Sequence, residues 1–194
     1  MNYRHAFHAG NHADVLKHVA LVRTLDYLRQ KDKPFAVLDA HAGIGRYDLK
    51  GAEAFKTGEW KDGIGKLLSQ PLPDTVKPLL APYMNMIHDL NPDGALRHYP
   101  GSPEIVARML RRGDRMVFNE LHPQDADMLA ARYATDRRVR VTRFDASVAV
   151  KAELEKVLHA LEEAGRKQIR FAFLLELGNS TSGRVWEIRQ GSIS

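Results

Sequence analysis

Phe35-Ala36-Val37-Leu38-Asp39-Ala40-His41-Ala42-Gly43-Ile44-Gly45 is an apolar run that ends in an acid and a glycine-rich turn. After Lys31-Asp32-Lys33-Pro34, the run Phe35 to Leu38 reads as a short buried strand, and Asp39 to Gly45 as the turn that leaves it. Upstream, Asn11 is placed to cap a helix from about His12 to Gln30, in which Val15, Leu16, Val19, Val22, Leu25 and Leu28 recur at helical spacing. Downstream, a helix from Pro103 to Arg112, a strand Arg115 to Asn119, a helix Pro123 to Tyr133 and a strand Val139 to Phe144 follow in turn. Strands separated by helices predict an α/β fold with a parallel, helix-covered sheet.

Between Gly51 and Gly101 the pattern changes to short helical pieces broken by Pro71, Pro73, Pro78, Pro82 and Pro92, with apolar runs at Gly65 to Leu68 and Leu79 to Leu90. We read residues 51–101 as a small helical insertion subdomain. Residues 1–50 then supply the N-terminal arm, first helix, first strand and glycine turn, and residues 102–194 the remainder of the main domain. Val148 to Ala164 reads as an amphipathic helix, Ile169 to Leu177 as a strand, and Gly178 to Ser194 as irregular.

The chain has 194 residues, no cysteine and a formal net charge of +5. Without cysteine, disulfides, thiolate metal sites and cysteine nucleophiles are excluded. A basic balance favours an acidic partner, because Lys and Arg placed near phosphates release counterions. A solvated surface face is the alternative, since Glu104, Asp114, Glu120, Asp125 and Asp136 interleave with the arginines between Arg97 and Arg143. No apolar run reaches the roughly 18 residues that span a bilayer, and the first ten residues lack the apolar stretch of a secretory signal. A cytoplasmic protein with no membrane partner is expected.

The candidate chemistry sits at strand ends. Asp39 ends the first strand, Glu120 the second and Asp145 the third, and Gly43 lets backbone approach a ligand in the turn. Such carboxylates accept hydrogen bonds from ribose hydroxyls and an exocyclic amine, the polar handles of an adenosine-containing ligand. Acids are also common wherever strands meet solvent, and the glycine spacing is not the dinucleotide fingerprint. At the N-terminus, Tyr3 and Phe7 are suited to stack on bases while Arg4, His5 and Lys17 meet phosphates or sugars. The alternative is an arm packed across the fold. No metal is expected, because His12 and His18 are six positions apart and do not align on one helical face.

Tyr3-Arg4-His5 with Phe7 to His18, then Leu38 to Gly43 and Gly45-Arg46-Tyr47, then Tyr99-Pro100-Gly101-Ser102-Pro103, then Glu120-Leu121-His122-Pro123, resemble the RlmJ family in order and spacing. That resemblance implies a Rossmann-like class I S-adenosylmethionine-dependent methyltransferase with a small helical insertion. The reaction it implies is methylation of adenine N6 in naked or immature 23S ribosomal RNA. It implies His18, His41, Ser102, Glu120 and Asp145 as contacts to S-adenosylmethionine, and Tyr3 as a contact to RNA. In the family a glycine follows Asp145, where Ala146 stands here and crowds the adenine pocket.

The family's Asp/Asn-Pro-Pro-Tyr/Phe loop has no counterpart: no proline follows Pro123, and no Pro-Pro pair occurs. The catalytic residue is therefore unknown, and the chain reads as truncated or internally deleted after Asp145. Two functional readings follow, a ribosomal RNA adenine-N6 methyltransferase and a catalytically impaired RNA-binding protein that keeps the fold. A DNA-directed enzyme is a third and weaker one. A monomer is the simplest expectation.

Overall fold

The computed structural model describes residues 4–159 with their side chains and residues 160–163 and 171–174 as backbone. Two compact units divide the chain, the first from residues 1–30 and 43–109, the second from residues 31–42 and 110–194. The sequence-based boundaries at residues 50 and 101 both fall inside the first unit.

In the first unit, α1 (His12–Arg29) packs on α4 (Lys77–Leu90) and α5 (Ser102–Met109). Asn11 caps α1 as expected, its side chain accepting from Asp14 N–H at 2.9 Å. The buried face of α1 differs from the apolar periodicity. It runs Asp14, His18, Leu21, Val22, Leu25 and Leu28, while Leu16 is 71% exposed. The first two turns thus bury polar groups, and those groups need partners inside the unit.

Short helices α2 (Ala52–Thr57) and α3 (Ile64–Ser69) belong to the same unit as α4. A two-stranded antiparallel ribbon was not anticipated: β2 (Arg46–Asp48) pairs with β3 (His98–Pro100), placing Tyr47 opposite Tyr99. Asn91 ties the turn before β3, donating to the carbonyls of Ile87 and His98 and accepting from the N–H groups of Arg97 and His98, all at 2.8 Å.

The second unit holds the parallel sheet. Its strands are β1 (Ala36–Asp39), β4 (Arg115–Asn119), β5 (Val139–Thr142) and β6 (Phe171–Leu174), in the spatial order β5-β4-β1-β6. All pairings are parallel, with Asp39 opposite Phe118 and Leu174, and Asn119 opposite Thr142. Helices α6 (Pro123–Arg132) and α7 (Ala146–Glu163) follow β4 and β5. Pro123 opens α6, a position where its missing N–H costs nothing.

Leu154 and Val157 of α7 pack with Leu38, Ala36 and Val117 of the sheet. At the entry to β1, fully buried Asp114 accepts from Phe35 N–H at 3.1 Å and from Arg111 N–H at 2.8 Å. The Arg111 guanidinium in turn reaches the Lys31 and Lys33 carbonyls. The strands read from the sequence around residues 37, 117, 141 and 172 are all present, and the readings made on residues 164–170 and 175–194 lie outside the described residues.

Candidate functional site

The acids singled out at strand ends belong to one edge of one sheet. Asp39 is the last residue of β1, Glu120 follows β4 directly, and Asp145 lies three residues beyond β5. Because the strands are parallel and adjacent strands lie about 4.8 Å apart, their carboxyl ends bring these loops to a common rim. His41 shares the loop after β1 and is exposed.

Asn119 holds that rim together, and nothing in its sequence context announced it. It is 1% exposed. Its Nδ2 donates to Ala40 O at 3.1 Å and Phe144 O at 2.8 Å, and its Oδ1 accepts from Phe144 N–H and the Thr142 hydroxyl, each at 2.9 Å. One amide therefore staples the loops that follow β1 and β5 to the end of β4. Two backbone bonds extend the same work: Ala42 N–H donates to Asn119 O, and Glu120 N–H to Thr142 O, both at 3.0 Å.

Each carboxylate is oriented locally. Asp39, 3% exposed, accepts from His41 N–H at 3.2 Å. Glu120 accepts from His122 N–H at 2.8 Å, which sets the side chain beside the start of α6. Asp145 accepts from the hydroxyl and the N–H of Ser147, and these bonds hold its carboxyl below the usual carboxylate range. Ala146 is the first residue of α7, and no non-glycine residue among those described has positive φ. The backbone at Ala146 is therefore one that a side chain accepts without strain.

The other residues named from sequence lie in the first unit. Gly43 has φ +63°, and a Cβ there would meet the Tyr47 hydroxyl oxygen at 2.1 Å. Tyr47 alone thus accounts for glycine at this position, whether or not a ligand approaches. Ser102 is buried at the start of α5. Tyr3 falls outside the described residues. Arg4 pairs with Glu53 at 3.3 Å, His5 with Asp14 at 2.9 Å and Lys17 with Asp14 at 2.9 Å. The arm is therefore tied into its own unit, as His8 and Asn11 are through Glu59.

Asp14, which the sequence reading did not single out, is the centre of that network. Burial pushes its carboxyl up, but His5, through charge and a hydrogen bond, and the Lys17 ammonium oppose this, and the carboxyl is held well below its ordinary value. Gly10 N–H adds a further donor at 3.1 Å. His18, fully buried, pairs through Nδ1 with the Tyr99 hydroxyl at 2.9 Å, and Tyr99 pairs with the Tyr83 hydroxyl at 3.0 Å. Burial forces both tyrosines to stay neutral by raising their phenolic values. The Nε2 of His18 has no hydrogen-bond partner among the described residues.

Burial lowers the His18 value from 6.5 to about 3, with Asp14 partly opposing. An imidazole depressed in this way binds a proton in the unfolded chain before it does in the folded one. The stability it contributes is complete above pH 6.5 and is lost as pH falls toward 3. Denaturant titrations between those limits should show stability falling by on the order of 1 kcal/mol per pH unit from this group. In His18→Gln that component should vanish, and an unchanged slope would refute a buried neutral His18.

Among the described residues no group of three or more His, Asp or Glu is arranged to hold a metal ion, and no helix is long and apolar enough to cross a membrane.

Comparison with known proteins gives a consistent result. The family model described as "Ribosomal RNA large subunit methyltransferase D, RlmJ" matches residues 32–161. The chain is 44% identical over 157 residues to the ribosomal RNA large subunit methyltransferase J of Escherichia coli, covering 81% of this chain and 55% of that protein. To the protein of the same name from Haemophilus influenzae it is 47% identical over 156 residues, covering 79% and 54%. A crystal structure of a Legionella pneumophila protein superposes with a TM-score of 0.65 at 35% identity, covering 85% of this chain and 57% of that one. The chain thus spans little more than half the length of the curated relatives it matches.

Proposed function

We propose, from the premise that this chain belongs to the RlmJ family of ribosomal RNA large subunit methyltransferases, that it binds S-adenosylmethionine and serves methyl transfer to adenine N6 in naked or immature 23S ribosomal RNA. One observation carries the reading, the gathering of the Asp39, Glu120 and Asp145 loops at the carboxyl edge of a parallel sheet. In open α/β sheets, ligands bind beyond that edge, near the point where strand order reverses. Counting only the parallel strands, the order third-second-first-fourth is that of the first four strands of a doubly wound sheet, which supports a Rossmann-like class I fold.

The residues fit the donor's chemistry. Glu120 and Asp145 are assigned as acceptors for ribose hydroxyls and an exocyclic amine, and Asp39 fixes the loop that carries His41. His18, whose buried Nε2 has no hydrogen-bond partner among the described residues, and Ser102 are assigned to the donor from the first unit. When bound, the donor supplies an electrophilic methyl group on sulfur. Arg4, His5 and Lys17 are assigned to RNA, with Asp14 holding His5 and Lys17 in place. No residue is assigned to positioning the target amine, because the Asp/Asn-Pro-Pro-Tyr/Phe pattern does not occur in this sequence.

Calorimetric titration with S-adenosylmethionine tests the donor assignment. Glu120→Ala should weaken binding by about 1 to 3 kcal/mol, the cost of leaving ligand hydroxyls without their acceptor. Unchanged affinity removes Glu120 from the site. Transfer of labelled methyl groups to a naked 23S fragment tests the reaction itself.

A further inference from the structure

The second unit has two adjoining open hollows, and both lie at the amino edge of the sheet, opposite the rim that carries Asp39, Glu120 and Asp145. One, of about 420 Å³, has an apolar floor that includes Ala36, Val117 and Val139 and is rimmed by Arg140 and Lys156. The other, of about 560 Å³, is lined by Arg112, Arg115, Arg137 and Arg138 with Thr135 and Asp136. Arg115, Arg137 and Arg138 border both, so the two form one continuous trough.

Its charge is poorly compensated. Asp136 is engaged by Arg138 at 2.6 Å, and Glu153 by Arg140 and Lys156. Exposed Arg112 and Arg137 have no carboxylate partner among the described residues. Among the described residues the Arg115 guanidinium donates to the carbonyls of Arg112 and Asp114, at 3.1 and 2.8 Å, which braces it without cancelling its charge. Like charges held together around a concave surface repel one another, and an extended polyanion that follows the trough relieves them along its length. A cofactor does not account for the trough, because cofactors of this sheet type bind at the carboxyl edge.

We propose that this amino-edge trough docks the phosphate backbone of the RNA, with Arg112 and Arg137 as the principal contacts; the proposal rests on the RNA-directed reading given above. Four to five residues of strand separate the two edges, about 15 Å at 3.3 Å per residue. An RNA presented to one edge of this unit is long enough to reach the other. Contacts of this kind carry no base information and set register and affinity.

The test compares the parent chain with the double variant Arg112→Gln/Arg137→Gln, in which both side chains stay polar and lose their charge. Binding of a fluorescein-labelled single-stranded RNA is followed by anisotropy between about 50 and 200 mM salt. The same two proteins are titrated with S-adenosylmethionine. The slope of log affinity against log salt should fall in magnitude by about 1.4 in the variant, because two fewer phosphates of a single strand are neutralised. At the low-salt end affinity should drop about tenfold, while donor affinity stays equal in both proteins.

Identical slopes and affinities would overturn the docking surface and leave the methyl-donor reading standing. A weaker complex with an unaltered slope would also overturn it, since counterion release would not be the cause. No RNA binding by the parent would overturn it as well. A reduced slope in the variant, with a parent that fails to bind the donor, supports the trough and refutes the methyl-transfer reading.

Discussion

Asn119→Leu is expected to lower unfolding stability by about 3 kcal/mol and to abolish measurable donor binding. Leucine is close to the amide in size but makes none of its hydrogen bonds. The carbonyls of Ala40 and Phe144 lose a donor, while Phe144 N–H and the Thr142 hydroxyl lose an acceptor. A single lost hydrogen bond costs about 1 kcal/mol, and a buried group left unsatisfied costs about 1 to 3. Ala40 is buried, but the Phe144 and Thr142 groups are only partly so, and there water restores some of the loss. Urea denaturation checks the figure: the midpoint should fall with the slope unchanged. Wild-type stability would show that the loops hold their places without the amide.

Asp14→Ala should cost about 3 to 5 kcal/mol, the range for removing one partner from a buried ion pair. The Lys17 ammonium, with a side chain only 18% exposed, would lose its ion pair with Asp14, and Gly10 N–H and His5 would lose their hydrogen bonds to Oδ2. Asp14→Asn, which keeps an acceptor for Gly10 and removes the charge, should lose less. Thermal melts at neutral pH rank the two, and equal melting temperatures for Asp14→Ala and the parent would refute the network. The pH dependence has a definite sign. A carboxyl held below its ordinary range contributes stability that is present above that range and lost as pH falls through the folded-state value. His18 begins to cost stability from pH 6.5 downward, so its loss comes at the milder end of an acid titration and that of Asp14 at the harsher end.

Much of the second unit was legible from local pattern. The run Phe35 to Leu38 and the strands around Met116 and Val141 are short, apolar and punctuated, and a parallel sheet necessarily puts the residues that follow them on one rim. The ordered motifs around Tyr99 and Glu120 pointed to the family that the matched region bears out. What pattern could not reveal was which polar residues turn inward. Asn119 reads as the end of a strand, and its role depends on carbonyls at residues 40 and 144, distant in sequence. Asp14 and His18 were absent from the expected core because periodicity was counted on apolar residues alone, whereas the buried stripe of α1 begins with these two. Strands β2 and β3 have three residues each and lie about fifty positions apart, too short and too remote to leave a periodic signal.

The hydroxyls of Tyr83 and Tyr99 form a line that ends on the His18 imidazole. Such a line has two senses. If each hydroxyl points its hydrogen toward the imidazole, Nδ1 accepts and the proton sits on Nε2, which then offers a donor; if every hydrogen turns the other way, Nε2 offers a lone pair. Two hydroxyl rotations and a tautomer exchange convert one sense into the other while the carbon, nitrogen and oxygen framework stays fixed. A molecule meeting Nε2 would therefore choose the tautomer, and that choice would be written back through two rings to the core of the helical unit.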